Sequence, residues 1–166
     1  LKTGKLEDED FDKLQEAMGV LAEAPLYIDD TPGISIMEMR TKARRLQMEK
    51  GLKLIVVDYL QLMTANKKFE GRVQEVSYIS QNLKNLAREL KIPVLALSQL
   101  SRAVEARGTK VPQLADLRES GAIEQDADVV MFIYRDDADS EQNFESQVLT
   151  KLLIAKHRNG PVGQLD

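Results

Sequence analysis

The chain has 166 residues, 43% apolar and 30% charged, with a formal net charge of −4. That is one domain or part of one, with enough apolar residues for a core, and its bulk charge does not advertise nucleic-acid binding, although a local basic patch depends only on where the cations sit. The absence of cysteine excludes disulfides, thiolate zinc sites and cysteine nucleophiles. No apolar run approaches the ~18 residues of a membrane helix, and no signal peptide opens the chain. A cytoplasmic protein with no membrane partner is the expectation. Both ends read as cut. The first residue is Leu1 rather than Met, and Val162 to Asp166 read as a strand that begins and does not finish.

In chain order, Asp8 is placed to cap a helix with Phe11, Leu14, Met18 and Leu21 as its apolar stripe. Pro25 ends it, and Leu26-Tyr27-Ile28 is expected to form a short strand closing at Asp29-Asp30. Thr31-Pro32-Gly33 is a turn. Ser35 and Glu38 have capping-box spacing before a helix that turns Ile36, Met39, Ala43 and Leu46 inward. Gly51 is its expected stop.

Residues 53 to 58 form the clearest strand, and their unbroken apolar run suits a parallel strand covered on both faces. A polar stretch from Asn66 to Gly71 precedes a long helix carrying Val73, Val76, Ser80, Leu83, Ala87 and Leu90. Further strands are expected at 93 to 98, 128 to 134 and 147 to 155, and a turn at 156 to 163. Strands alternating with long helices imply a mainly parallel sheet flanked by helices. The last two strands lack a helix between them, so that end suits antiparallel pairing. The polar segment Gln99 to Asp126 is too long for an idle connection.

Ligands of open α/β sheets bind at the carboxyl ends of strands. Asp58 ends an apolar strand and resembles a Walker B carboxylate, which holds magnesium through water; the same pattern also suits an Asp that caps a loop. Gln99 follows the next strand and could contact a terminal phosphate or bond to loop backbone. Lys156 and Arg158 lie two residues apart, on one face at a strand end, where they suit a phosphate or a solvated hairpin. Arg102, Arg107, Lys110 and Arg118 are interspersed with acids in a segment without aromatic residues, which leaves backbone phosphate contacts rather than base stacking. No P-loop G-x-x-x-x-G-K-[ST] occurs: Gly4-Lys5 is followed by Leu6.

Five segments in order resemble the C-terminal, RecA-like motor domain of the DnaB family of bacterial replicative helicases. They are residues 26–30, 54–63 (Leu-Ile-Val-Val-Asp-Tyr-Leu-Gln-Leu-Met), 94–102, 116–128 and 156–161 (Lys-His-Arg-Asn-Gly-Pro). The resemblance implies a RecA-like P-loop NTPase core, truncated at both ends. Residues 1–166 would be part of that domain, with the P-loop segment and the N-terminal domain outside them.

Roles follow by resemblance. Asp58 would be the Walker B carboxylate, holding Mg2+ through water. Gln99 would sense the γ-phosphate of ATP and couple nucleotide state to the DNA loops. Lys156 and Arg158 would reach the neighbouring subunit's nucleotide, Arg158 as the arginine finger. Arg118, Glu119 and Gly121 would line a channel that holds single-stranded DNA. The family forms a homohexamer that moves 5′ to 3′, and it meets a primase and a helicase loader in the replisome. These 166 residues alone are expected not to hydrolyse ATP. A recombinase-type RecA-fold ATPase and a non-hydrolysing interaction module are the alternatives.

Overall fold

The protein is described from a computed structural model covering residues 8–101, 104, 107, 111–117, 121–135 and 150–165. It divides into two compact units, Leu1–Thr31 and Pro32–Asp166. In the first unit, helix α1 spans Asp8–Glu23. Of its apolar stripe, Phe11, Met18 and Leu21 are exposed and Leu14 is half-buried. Leu26 to Ile28 do not form the expected strand and are exposed. A strand is fixed by a partner's ladder rather than by its own apolar run, and among the described residues none pairs with this run. The chain turns after it because Asp29 Oδ1 accepts from both the backbone N–H and the Oγ1 hydroxyl of Thr31, at 3.1 and 2.6 Å.

The second unit begins with helix α2, Ile36–Lys50, whose ends follow from its sequence. Ser35 Oγ accepts from the Glu38 N–H at 3.2 Å. The Glu38 carboxylate pairs forward with Lys42 at 3.1 Å rather than back to the cap. Gly51 closes the helix at φ 71°, and its N–H reaches the Gln47 carbonyl. Ile36 and Ala43 are buried, and Met39 and Leu46 half-buried.

Strand β1 (Ile55–Val57) pairs parallel with β2 (Val94–Ala96), and helix α3 (Arg72–Leu90) is the crossover between them. Val76, Ile79, Ser80, Leu83, Leu86 and Leu90 form the buried face of α3. Val76, Ile79 and Leu83 join Ile36, Val57, Leu60 and Met63 in the main core. Leu86 and Leu90 pack with Ala43 in a second cluster. The expectation that the parallel strands are covered on both faces is not met. Val57 is buried, while Val56 and Leu95 are 54% and 41% exposed. Strand neighbours point to opposite faces, and α2 and α3 supply the layer against only one of them.

A six-residue helix α4, Gly121–Asp126, lies within the long polar segment and leads into β3, Val129–Tyr134. Strand β3 pairs antiparallel with β4 (Lys151–His157), which pairs antiparallel with β5 (Gly163–Leu165). The fourth strand thus runs to His157 rather than ending at Ala155; its expected start at 147 to 149 lies outside the described residues. Val130 and Phe132 face inward with Leu117, whereas Met131 and Ile133 face out. Among the described residues, no helix is long and apolar enough to cross a membrane.

Candidate functional site

Asp58 directly follows β1, and Ser98-Gln99 follow β2, at the same end of one parallel pair. The pairing continues past the strands. The Leu97 N–H donates to the Val57 carbonyl at 2.9 Å, and the Leu60 N–H donates to the Leu97 carbonyl at 2.8 Å. The Asp58–Tyr59 peptide bond is cis. A 3-10 turn, Leu60–Leu62, then anchors Leu60 in the core, where it is 2% exposed. Asp58 and Gln99 are exposed, so two polar groups stand on a rigid apolar base.

Gln61 joins these two chain ends. Its Oε1 accepts from the Gln99 backbone N–H at 3.2 Å, and its Nε2 donates to Ser98 Oγ at 2.9 Å. Its own carbonyl accepts from Arg72 Nη2 at the start of α3. Arg72 Nη1 also donates to Glu75 at 2.6 Å, and Glu75 accepts from the Ala65 N–H at 3.1 Å. The Ala65 N–H, helped by Arg72, holds the Glu75 carboxyl below its ordinary range against the opposing effect of burial. Sequence reasoning placed Gln61 only within a family segment. The signal for its role was a polar residue three positions after a strand-end Asp, which local pattern alone does not interpret.

Lys156 and Arg158 belong to the other sheet. Lys156 Nζ donates to the Glu124 carbonyl, and Arg158 Nη2 donates to the Gln125 carbonyl at 2.6 Å. Both cations therefore sit at the carbonyl end of α4, where orphan carbonyls and the helix dipole favour positive charge. Arg158 Nη1 also lies 3.5 Å from Asp128 Oδ1, and the Arg158 N–H donates to the Asp128 carbonyl at 2.9 Å. Lys84 pairs with the same carboxylate. That bond, with Arg158 nearby, lowers the Asp128 pKa. Arg158 lies just past β4, in the turn, so strand alternation does not place it beside Lys156; the two share α4 as a partner.

Gly121 opens α4, and its Cα faces open space. Arg118 and Glu119 lie outside the described residues. Just before them, Asp116 is buried. Its carboxylate takes both arms of the Arg107 guanidinium and the Gln113 N–H at 2.8 Å. Burial works to raise its pKa, but the Gln113 N–H and the Arg107 charge outweigh this and hold it low. The Asp116 carbonyl also accepts from the Ser101 N–H at 2.9 Å. Asp116 thus ties the start of the long segment to its middle; sequence reasoning counted it as one of several charges and as the first residue of a family segment.

Among the described residues, no cluster of three acidic, histidine or cysteine side chains could hold a metal alone. A single exposed carboxylate such as Asp58 fits a hydrated Mg2+ whose other ligands are waters and phosphate oxygens.

A helix-backed parallel pair with Asp58 and Gln99 just past its strand ends, beside a separate antiparallel sheet that carries Lys156 and, in the turn beyond it, Arg158, defines a RecA-like α/β domain. The family model of the DnaB-like helicase C terminal domain matches residues 1–166, and the chain belongs to that family. It is 56% identical over 164 residues to Replicative DNA helicase DnaB of Geobacillus stearothermophilus, covering 98% of this chain and 36% of the relative. It is 54% identical to Replicative DNA helicase DnaC of Bacillus subtilis, with the same two coverages. Among solved structures, it superposes with TM-score 0.88 and 42% identity on a DnaB-like replicative helicase described with its interactions with primase, covering 98% of this chain and 39% of that one. A second solved structure, described as an ATPase domain, gives TM-score 0.88 and 43% identity, covering 97% of this chain and 57% of that one. The chain spans about a third of the length of the two curated relatives.

Proposed function

We propose that the chain is part of the ATP-driven motor of a replicative DNA helicase that moves 5′ to 3′ on single-stranded DNA as a homohexamer. The observation that carries this is the placement of Asp58 and Gln99 on adjacent parallel strand ends, in a chain matched throughout by the helicase family. Residues 1–166 form part of the RecA-like domain, with the P-loop segment and N-terminal domain outside them, and this polypeptide alone does not turn over ATP. The working protein acts in the cytoplasm, with primase and a helicase loader as partners.

Asp58 would hold Mg2+ through water, and the ion would help neutralise the charge on ATP as its terminal phosphoryl group passes to water. Gln99, at the end of β2, meets the terminal phosphate and relays its presence toward the DNA loop. Lys156 and Arg158 offer positive charge to the neighbouring subunit's nucleotide, Arg158 to the charge that develops in the transition state. Arg118, Glu119 and Gly121 contact the phosphate backbone of single-stranded DNA, which makes binding independent of sequence. Family membership favours this reading over a recombinase.

The test is Arg158→Ala in the full-length helicase that carries this segment. Because a finger acts on transition-state charge, turnover falls by roughly a thousandfold or more, while nucleotide affinity changes little. Unchanged turnover overturns the assignment, and absence of ATPase in the unaltered full-length protein favours the interaction-module reading.

A further inference from the structure

We infer that Gln61 is a positioning residue, which sets the place of Gln99 and joins the Asp58 turn to it. The inference rests on the proposed phosphate-sensing role of Gln99. Its geometric half stands without that role.

A backbone N–H can only donate, so the Gln99 N–H fixes which end of the Gln61 amide faces it. That end is Oε1, at 3.2 Å. The Nε2 end is then turned onto Ser98 Oγ, at 2.9 Å. One amide thus spans two consecutive residues, and these residues follow Leu97, whose N–H and carbonyl make the last backbone bonds between the two strand ends among the described residues. Gln99 is exposed and has no core contact to fix it, whereas Gln61 and Ser98 are half-buried. The Gln61 side chain therefore holds the Gln99 N–H directly, between the paired Leu97 and the core-packed Leu100.

Gln61 is itself held from behind. Buried Leu60 and Met63 fix the turn on either side of it, and Arg72 binds its carbonyl. Two residues, Tyr59 and Leu60, separate it from Asp58 along that turn. A displacement of the Asp58 turn must therefore move the Gln61 amide, which moves the Gln99 N–H or breaks its bond. This gives the two strand ends a mechanical link made of one side chain, across 38 positions of sequence.

The experiment compares Gln61→Leu, Gln61→Glu and Gln99→Ala in the full-length helicase. Leu removes both bonds, while Glu keeps acceptor oxygens for the Gln99 N–H and the Ser98 hydroxyl. In Gln61→Leu, exchange of the Gln99 amide hydrogen accelerates by about tenfold, as for loss of one hydrogen bond. The stimulation of ATP turnover by single-stranded DNA falls by a similar factor, with KM for ATP nearly unchanged. Gln61→Glu restores both readouts. Loss of stimulation in Gln99→Ala but not in Gln61→Leu overturns the inference and leaves the Gln99 role standing. Wild-type stimulation in Gln99→Ala overturns that role, and amide exchange then decides the positioning alone: unchanged exchange in Gln61→Leu overturns it. Should Gln61→Leu fail to fold, Ser98→Ala weakens the clamp from its other end and is read by the same exchange measurement, with unchanged exchange overturning the inference.

Discussion

Leu60 and Leu62 stand two residues apart in the turn that follows Asp58, yet they are 2% and 53% exposed. Leu60 shares a buried cluster with Ile36 of α2, with Val76, Ile79 and Leu83 of α3, and with Val57 and Met63. Leu60→Ala removes three carbons from that cluster. At ~0.8 kcal/mol per buried methylene, transfer alone costs about 2.4 kcal/mol. The cavity adds to this, because strands and helices pinned by other contacts cannot collapse into it, so the total is about 3 to 4 kcal/mol. Leu62→Ala leaves no enclosed hole and costs under about 1 kcal/mol. With a urea slope of about 2 kcal/mol per molar, Leu60→Ala lowers the unfolding midpoint by about 1.5 to 2 M, and Leu62→Ala by under about 0.5 M. Urea titration of the 166-residue chain, followed by far-ultraviolet circular dichroism, reads both. Equal shifts would mean that the turn is not anchored through Leu60, and the support claimed for Asp58 and Gln61 would fall with it.

Two further outcomes follow from side chains away from that turn. Glu75, Glu89, Asp116 and Asp128 all have pKa values held below the ordinary range by their hydrogen-bond donors and cations. The native state therefore binds fewer protons than the unfolded one, so this stability is present above about pH 5 and is lost as pH falls through and below about 4. Urea midpoints measured from pH 6 to pH 3 should drop, with Asp116→Asn showing a shallower drop; a flat profile refutes the pairing. At Gly160, an added Cβ would sit 2.3 Å from His157 Cε1 and 2.5 Å from Nδ1. Gly160→Ala must therefore expel the ring from its 3.2 Å contact with the Pro161 carbonyl. His157→Ala removes the same contact, so the double variant is less destabilised than the sum of the singles, by about 0.5 to 1.5 kcal/mol. Strict additivity in a urea-midpoint cycle would show that the ring does not lie over Gly160.

What was legible in the sequence is what local chemistry controls. Ser35 and Gly51 bound α2 because a hydroxyl cap and a left-handed stop act within one turn. The apolar runs ending at Asp58 and Ser98 are strands because nothing polar interrupts them, and the helix between them makes their pairing parallel. Leu26-Tyr27-Ile28 shows the limit of that logic, since an apolar run becomes a strand only beside a partner. Helix α4 was missed because six residues carry too little periodicity to stand out from a polar segment. The Gln61 clamp joins residues 38 positions apart, which no local window contains, and the Asp116–Arg107 pair lies in an irregular segment with no period to show which charges meet. The roles proposed for Asp58, Gln99, Lys156 and Arg158 came from the family resemblance, and the structure added the backbone bond of Gln99 and the partners of Lys156 and Arg158.

That addition bears on how Arg158 could serve a neighbouring subunit while bonded within its own. Its partners here are one carbonyl at 2.6 Å and one carboxylate oxygen at 3.5 Å, both at the surface. A neutral-acceptor bond of this kind nets about 1 kcal/mol, and an exposed, loosely spaced ion pair adds between about zero and 1 kcal/mol. Releasing the guanidinium is therefore cheap beside a two-pronged contact to a multiply charged phosphate, which is shorter, doubly bonded and partly shielded from water. Asp128 loses little in the exchange, because Lys84 stays bonded to it. Lys156 and Arg158 share one short helix, α4, and α4 directly follows the segment proposed to hold DNA.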